Sequence, residues 1–175
     1  METTVKGVFL KSLVETVRAK KGNEGVKQLE KEFGSLDFSA FQNYPLTEQA
    51  RLNKAASIVL FGSHTPEAEY EFGRLSFKTY ADSIIGKTMF SLIGDDPLKV
   101  ASALPKILNM VTSGLDIEVK AVGPIKVSLR MKNLPFHIKH YEGCCAAAAE
   151  HFGHTAVIES KVWGKNDYEY IVEWK

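Results

Sequence analysis

After Gly114 the apolar residues change from a helical to an alternating spacing, and no other feature constrains the fold as strongly. Leu115, Ile117, Val119 and Ala121 fall on one side of an extended chain while Asp116, Glu118 and Lys120 fall on the other, the pattern of a half-buried strand. Gly123-Pro124 turns the chain. Ile125, Val127, Leu129 and Met131 then alternate with Lys126, Ser128, Arg130 and Lys132, which predicts a hairpin partner. A helix is expected from Pro135 to His151, ended by Gly153. Two further strands follow, His154 to Trp163 and Asp167 to Trp174, joined by a turn at Gly164-Lys165-Asn166. The order is strand, strand, helix, strand, strand. Tyr168, Tyr170, Val172 and Trp174 share one side of the last strand and read as core or as a subunit contact.

Before Gly114 the period is helical throughout. Val8, Phe9, Leu13 and Val17 form one short amphipathic helix and Val26, Leu29 and Phe33 a second, with Lys21-Gly22-Asn23 between them, Asn23 placed to cap and Gly34 to terminate. Leu36, Phe38, Phe41 and Tyr44 lead through an aromatic loop to Pro45. Thr47 opens a helix that Gly62 stops. Thr65-Pro66-Glu67 combines an N-cap, a first-turn proline and a first-turn acid, and Phe72, Leu75, Phe77, Tyr80, Ile84 and Ile85 follow as one wide stripe. Gly86 and Gly94-Asp95-Asp96 bracket Met89, Phe90, Leu92 and Ile93, a segment too short for periodicity to assign. Asp96-Pro97 restarts a helix through Val111, with Pro105 expected to kink it or begin it anew.

A chain of 175 residues with 45% hydrophobic content can bury a core of its own, so one domain is expected, residues 1–113 helical and 114–175 carrying the sheet. The 22 Lys and Arg against 21 Asp and Glu leave a net charge of +1, which gives no field favouring nucleic acid. The only cysteines, Cys144 and Cys145, are adjacent and build no disulfide framework, which points to the cytoplasm. The segment after Met1 to Thr4 is interrupted by Lys6, Lys11 and Glu15, so neither a secretory signal nor a membrane span is expected there.

Three constellations could carry chemistry. His137, His140, Cys144 and His151 share a helical face, and the i, i+4 spacing of His140 and Cys144 suits two ligands of one metal ion. No CxxC or HExxH pattern supplies the rest, so no metal is expected and Tyr141, Cys145, Ala148 and Phe152 read as a buried stripe. A nucleophilic Cys144 would need His140 as base beside an open cleft. The small run Cys144 to Ala149 instead reads as a surface for close packing. Lys120, Lys126, Arg130 and Lys132 line the polar face of the first hairpin, where cross-strand pairs with Glu159, Glu169 and Glu173 are expected. The third is apolar: Phe72, Phe77, Tyr80, Met89, Phe90 and Met110 concentrate bulk just before the sheet, either filling a core or walling a cavity.

The segments VKGVFLKSLVETV, PLTEQARLNKAA, EFGRLSFKTYADSIIGKTMFSLIG and YEYIVEW together resemble a myxobacterial paralogous domain family of unknown function, over nearly the whole chain. More distantly, helices followed by the ββαββ order, with IKHYEGCCAAAAEHFG near the end, are similar to the ligand-binding superfamily of haem–nitric oxide sensors, vinyl-reductase-like domains and Golgi transport subunits of the TRAPP type. The resemblance implies a regulatory or binding module with a small apolar ligand or acyl chain between helices and sheet. Its haem branch requires a histidine on the helix preceding the sheet and a Tyr-x-Ser-x-Arg motif. Pro97 to Thr112 holds no histidine and the motif is absent, so haem held in that way is not expected; nor is covalent lipidation, since both cysteines lie late in the chain.

The expectation is therefore an α+β domain, an N-terminal helical layer packed on a four-stranded antiparallel sheet of ββαββ order. Its expected role is a non-enzymatic cytoplasmic sensory or adaptor domain, without a cofactor. It binds a small apolar molecule against Phe77, Tyr80, Phe90 and Met110 and signals to a protein partner. The alternatives are a ligand-free interaction module, expected to be a homodimer, and, third, an enzyme using Cys144 with His140.

Overall fold

The computed structural model describes residues 2–94 and 96–175. Met1, Asp95 of the Gly94-Asp95-Asp96 bracket and the side chain of Ile85 lie outside the described residues.

Among the described residues the helical part holds the helices α1 (Gly7–Phe33), α2 (Leu46–Phe61), α3 (Pro66–Asp82), α4 (Ile84–Ile93) and α5 (Pro97–Asn109). Gly22, at φ 65 and ψ −164, divides α1 into two arms, as the Lys21-Gly22-Asn23 break predicts. In place of the expected cap, Asn23 Oδ1 accepts a 3.0 Å bond from Arg18 Nη1 across that break. Thr65 Oγ1 caps α3 by accepting from the Ala68 N–H at 3.2 Å, with Pro66 in the first turn. The single stripe expected through Ile84 and Ile85 is instead two helices. Ser83 ends α3 by donating to the Tyr80 carbonyl at 2.6 Å and starts α4 by accepting from the Gly86 N–H at 3.0 Å. Gly86 makes this corner feasible, since a Cβ there would stand 2.1 Å from the Tyr80 carbonyl oxygen. Past the corner, α5 continues across Pro105 without restarting.

A small sheet that alternation does not reveal ties the helical part together. Strand β1 (Thr4–Lys6) pairs antiparallel with β2 (Asn43–Pro45) on one side and β3 (Thr112–Ser113) on the other. Segments of two or three residues carry no period.

The main sheet comprises β4 (Asp116–Gly123), β5 (Lys126–Lys132), β6 (Ala156–Gly164) and β7 (Asp167–Trp174), all antiparallel, in the order β4-β5-β7-β6. Both predicted hairpins form, and the helix between them, α6 (Ile138–His151), starts three residues later than expected. Pro135 and Phe136 stay outside it, and His137 is its N-cap, its Nδ1 accepting from the Lys139 N–H at 3.2 Å. On the inner face, Val127, Leu129, Met131, Tyr170, Val172 and Trp174 are buried, so the alternating aromatic side of the last strand is core. On the outer face the cations are paired within the sheet: Lys126 with Glu173 at 2.8 Å, Lys132 with Asp116 at 2.9 Å, Lys120 with Glu118 at 2.8 Å. Arg130 makes a two-pronged contact with Asp167 at 3.1 and 2.8 Å, which holds the Asp167 carboxyl below the usual carboxylate range. Of the expected acidic partners, Glu173 takes this role, while Glu169 accepts from Ser128 and Trp163.

The two parts are joined by α3 crossing α6 at close range. A Cβ on Gly73 would lie 1.8 Å from the His140 carbonyl oxygen, and one on Gly143 would lie 2.0 Å from that of Tyr70. Each helix thus presents its glycine to the other's backbone, and Ala146 and Ala147 continue the buried small-residue surface. At the rim Arg74 clamps Glu150 with bonds of 2.9 and 2.8 Å.

Candidate functional site

Between the helices and the inner face of the sheet the fold forms a partly open cavity of about 340 Å³. α1 contributes Phe9, Ser12, Leu13 and Thr16, α3 contributes Ser76, Phe77, Thr79 and Tyr80, and the sheet contributes Val119, Val127, Leu129, Val172 and Trp174. From α6 come Tyr141, Cys144, Cys145, Ala148 and Ala149. With His140, which also lines the cavity, these positions adjoin the face packed on α3, and Cys144 touches both, its thiol reaching the Gly73 carbonyl. Among the described residues, no Asp, Glu, Lys or Arg lines the cavity.

Three of the four residues expected to wall a cavity do line it. Phe77, Tyr80 and Phe90 meet there, with Phe90 centred 6.0 Å from Phe77, 6.1 Å from Tyr80 and 5.3 Å from Phe152. Burial raises the Tyr80 phenol above its ordinary pKa. Met110 is outside the wall and 62% exposed. The reason is angular. On α5 the inward arc is Val100, Ala101, Leu104, Ile107 and Leu108, and the C-cap Met110, still in helical conformation, falls at about 100° per residue roughly 120° from the centre of that arc.

Sequence reasoning missed the hydroxyls of this wall. Thr16 Oγ1 donates to the Ser12 carbonyl at 2.9 Å and lies 3.0 Å from Thr79 Oγ1, tying α1 to α3. Ser76 Oγ is buried with no hydrogen-bond partner among the described residues. The available signal was a Ser or Thr at i, i+4 inside an apolar stripe, as at Ser12 and Thr16, which is also how helices satisfy hydroxyls on their own carbonyls.

Cys144 and His140 both line the cavity, and among the described residues no hydrogen bond joins them. The Cys144 thiol donates to the Gly73 carbonyl at 3.2 Å, and burial raises its pKa. Cys145 is pushed up to about 12 by the same cause, with Glu142 adding repulsion. His140 is 5% exposed, stacked on Phe136 at 5.3 Å, with Nδ1 3.7 Å from Glu69 Oε2. His151 sits in the aromatic cluster, 5.3 Å from Phe90. Among the described residues, no three His, Cys, Asp or Glu side chains converge on a possible metal position, and no helix is long and apolar enough to cross a membrane.

The chain belongs to the family described as "Protein of unknown function (DUF2378)", whose match runs over residues 1–175. No curated protein matches its sequence. Its architecture is that of H-NOX domains. An Fe(II) unliganded H-NOX protein from K. algicida superposes with a TM-score of 0.70 at 15% identity, covering 97% of this chain and 96% of that one. An H-NOX protein from S. oneidensis in the Fe(II)NO ligation state gives 0.71 at 16% identity, covering 97% and 99%. An oxygen-binding H-NOX domain related to soluble guanylate cyclases gives 0.73 at 16% identity, covering 97% and 95%. At such identities the likeness is one of fold.

Proposed function

We propose that this member of the DUF2378 family is a sensory or adaptor domain that binds a small, uncharged, largely apolar molecule in its interior and signals that occupancy to a protein partner. The observation that carries this reading is the 340 Å³ cavity between the layers, walled by apolar side chains and hydroxyls. Desolvating a charge against such walls would be costly, whereas an apolar body with one hydroxyl or carbonyl head can reach the unpartnered Ser76 Oγ. The reading is non-enzymatic, because the Cys144 thiol donates to the Gly73 carbonyl and burial raises its pKa, which disfavours the thiolate a nucleophile needs.

The iron named for the H-NOX neighbours does not transfer with the fold. Haem held as in the sensors would need a histidine on α5, which has none, and a cation for its propionates, while no Lys or Arg among the described residues lines the cavity.

A second reading, a ligand-free module that dimerises, is favoured by the outward side chains of α4, Ile84 at 85% and Leu92 at 78% exposure. An unfilled interior supports the first reading over it. Native mass spectrometry of freshly purified protein tests both, reporting subunit number and any retained small molecule. A retained apolar compound, or a thermal shift with a panel of long-chain alcohols and ketones, is the expected result. A bare chain that responds to none of them overturns the proposal.

A further inference from the structure

One margin of the main sheet is open. At the other margin β4 runs beside α5, but β6 ends the sheet, and among the described residues no backbone N–H or C=O of residues 156–164 bonds outside the β6–β7 hairpin. Such an edge is a template for a further strand, which folds commonly block with a proline, a bulge or a covering helix. Here no proline interrupts the strand, and the register irregularity comes only at its Val162/Gly164 end. Nor does α6 reach the margin: Ser160 and Val162 face inward, opposite Tyr170 and Tyr168, yet both are exposed, Val162 to 61%. The charges of β6 are also exceptional on the outer face. Lys120, Lys126, Arg130 and Lys132 each have a carboxylate within the sheet, whereas Glu159 and Lys161 have no ion-pair partner among the described residues, and Lys161 Nζ lies over the Trp163 ring at 3.8 Å.

The residue order along β6 is its own complement. Two copies of the strand, paired antiparallel about a two-fold axis through Ser160, set Glu159 opposite Lys161 twice on the outer face and Ile158 opposite Val162 twice on the inner face. The neighbouring registers that keep each face together centre on Glu159 or on Lys161, and either one brings a like charge onto itself. We propose that a second copy of this chain adds to the sheet through β6, giving a two-fold dimer whose two four-stranded sheets run on as one. The contact uses the sheet margin alone, so it holds with the cavity empty or filled and does not rest on the function proposed above. Strand addition buries an area at the low end for stable dimers, which places the equilibrium in the micromolar range.

The test is sedimentation velocity of the full chain at low salt from about 1 to 300 µM, with a reversible monomer–dimer equilibrium as the expected result. Glu159→Lys and Lys161→Glu, both at exposed positions, each set like charges against one another twice and weaken the dimer about tenfold or more. Mixing these two variants restores opposite charges at both contacts and yields a heterodimer, and the doubly reversed chain dimerises by itself as the unaltered one does. A dimer through α4 would respond to none of these changes. Hydrogen exchange on the unaltered chain needs no variant: amides of residues 156–162 gain protection as concentration rises, and those of residues 84–93 do not. A chain that stays monomeric throughout, a dimer indifferent to both single reversals, or one that they weaken and mixing does not restore overturns the proposal, as does β6 exchange that is independent of concentration.

Discussion

Replacing Ala148 with leucine separates a hollow interior from a filled one by the sign of a stability change. Ala148 lines the cavity on α6, and the substitution adds three carbon atoms on that side while nearly preserving helix propensity. If they enter free space, burial is worth about 0.8 kcal/mol per carbon, or ~2.4 kcal/mol in all. Fixing the leucine rotamer returns about 0.5–1 kcal/mol, leaving a net stabilisation of roughly 1.5 kcal/mol. If the cavity walls instead close on Ala148, the same atoms overpack the site and destabilise it by about 1–3 kcal/mol. In a chain of this length 1 kcal/mol moves Tm by about 2–4 °C, so the expected rise is roughly 3–6 °C. Urea and thermal unfolding followed by far-UV circular dichroism, on protein stripped of small molecules, measure the change without a contribution from ligand. Native mass spectrometry of the unstripped variant should show loss of any retained molecule. A fall in stability of 1 kcal/mol or more at unchanged m value would refute the reasoning.

Other substitutions test the elements that shape the cavity. Gly73→Ala and Gly143→Ala each drive a Cβ to 1.8 or 2.0 Å from a carbonyl oxygen of the facing helix, and a loss of at least ~3 kcal/mol in urea unfolding is expected from either. Tyr170→Phe deletes a buried hydroxyl that has no partner among the described residues, and should raise stability by about 1 kcal/mol in the same assay. Ser83→Ala removes the cap of α4 and should cost about 1 kcal/mol while increasing amide exchange in residues 84–93. Burial acts to raise the Glu69 carboxyl, but His140 and His64 outweigh it and hold the group below its ordinary value of 4.5. Between the two values the unfolded chain binds more protons, so this contribution is present above about pH 4.5 and is lost as pH falls through the lower, folded value; a pH series of urea midpoints without that acid-side decline contradicts the assignment.

Much of this fold could be read from period alone, and the reasons for the rest are local. The main sheet shows in the alternation of Val127, Leu129 and Met131, because one face is buried and the other carries paired charges. The corner at Ser83 was invisible because the apolar stripe continues through it; what breaks the helix is a side-chain cap and the backbone contact at Gly86, neither of which alters hydrophobic period. The β1-β2-β3 sheet is a tertiary assembly of segments too short to carry a signal. For the cavity, bulk in the middle helices pointed to Phe77, Tyr80 and Phe90 but gave no angle, and so included Met110.

The cavity persists because the elements around it are fixed by contacts that collapse would have to break. α3 and α6 already touch backbone to backbone at Gly73 and Gly143, so neither can move toward the other. The Thr16–Thr79 contact spaces α1 from α3, and the sheet is anchored through Met131 and Tyr170, both fully buried. Filling the space by sliding a layer inward would give up these packed surfaces, and protein interiors shift between discrete packings more readily than they compress. An apolar occupant faces no such cost, since it adds contacts to walls already in place. On the α3 side of this cavity the buried His140 ring, stacked on Phe136, places its Nδ1 3.7 Å from Glu69 Oε2, a further fixed contact that an occupant need not disturb.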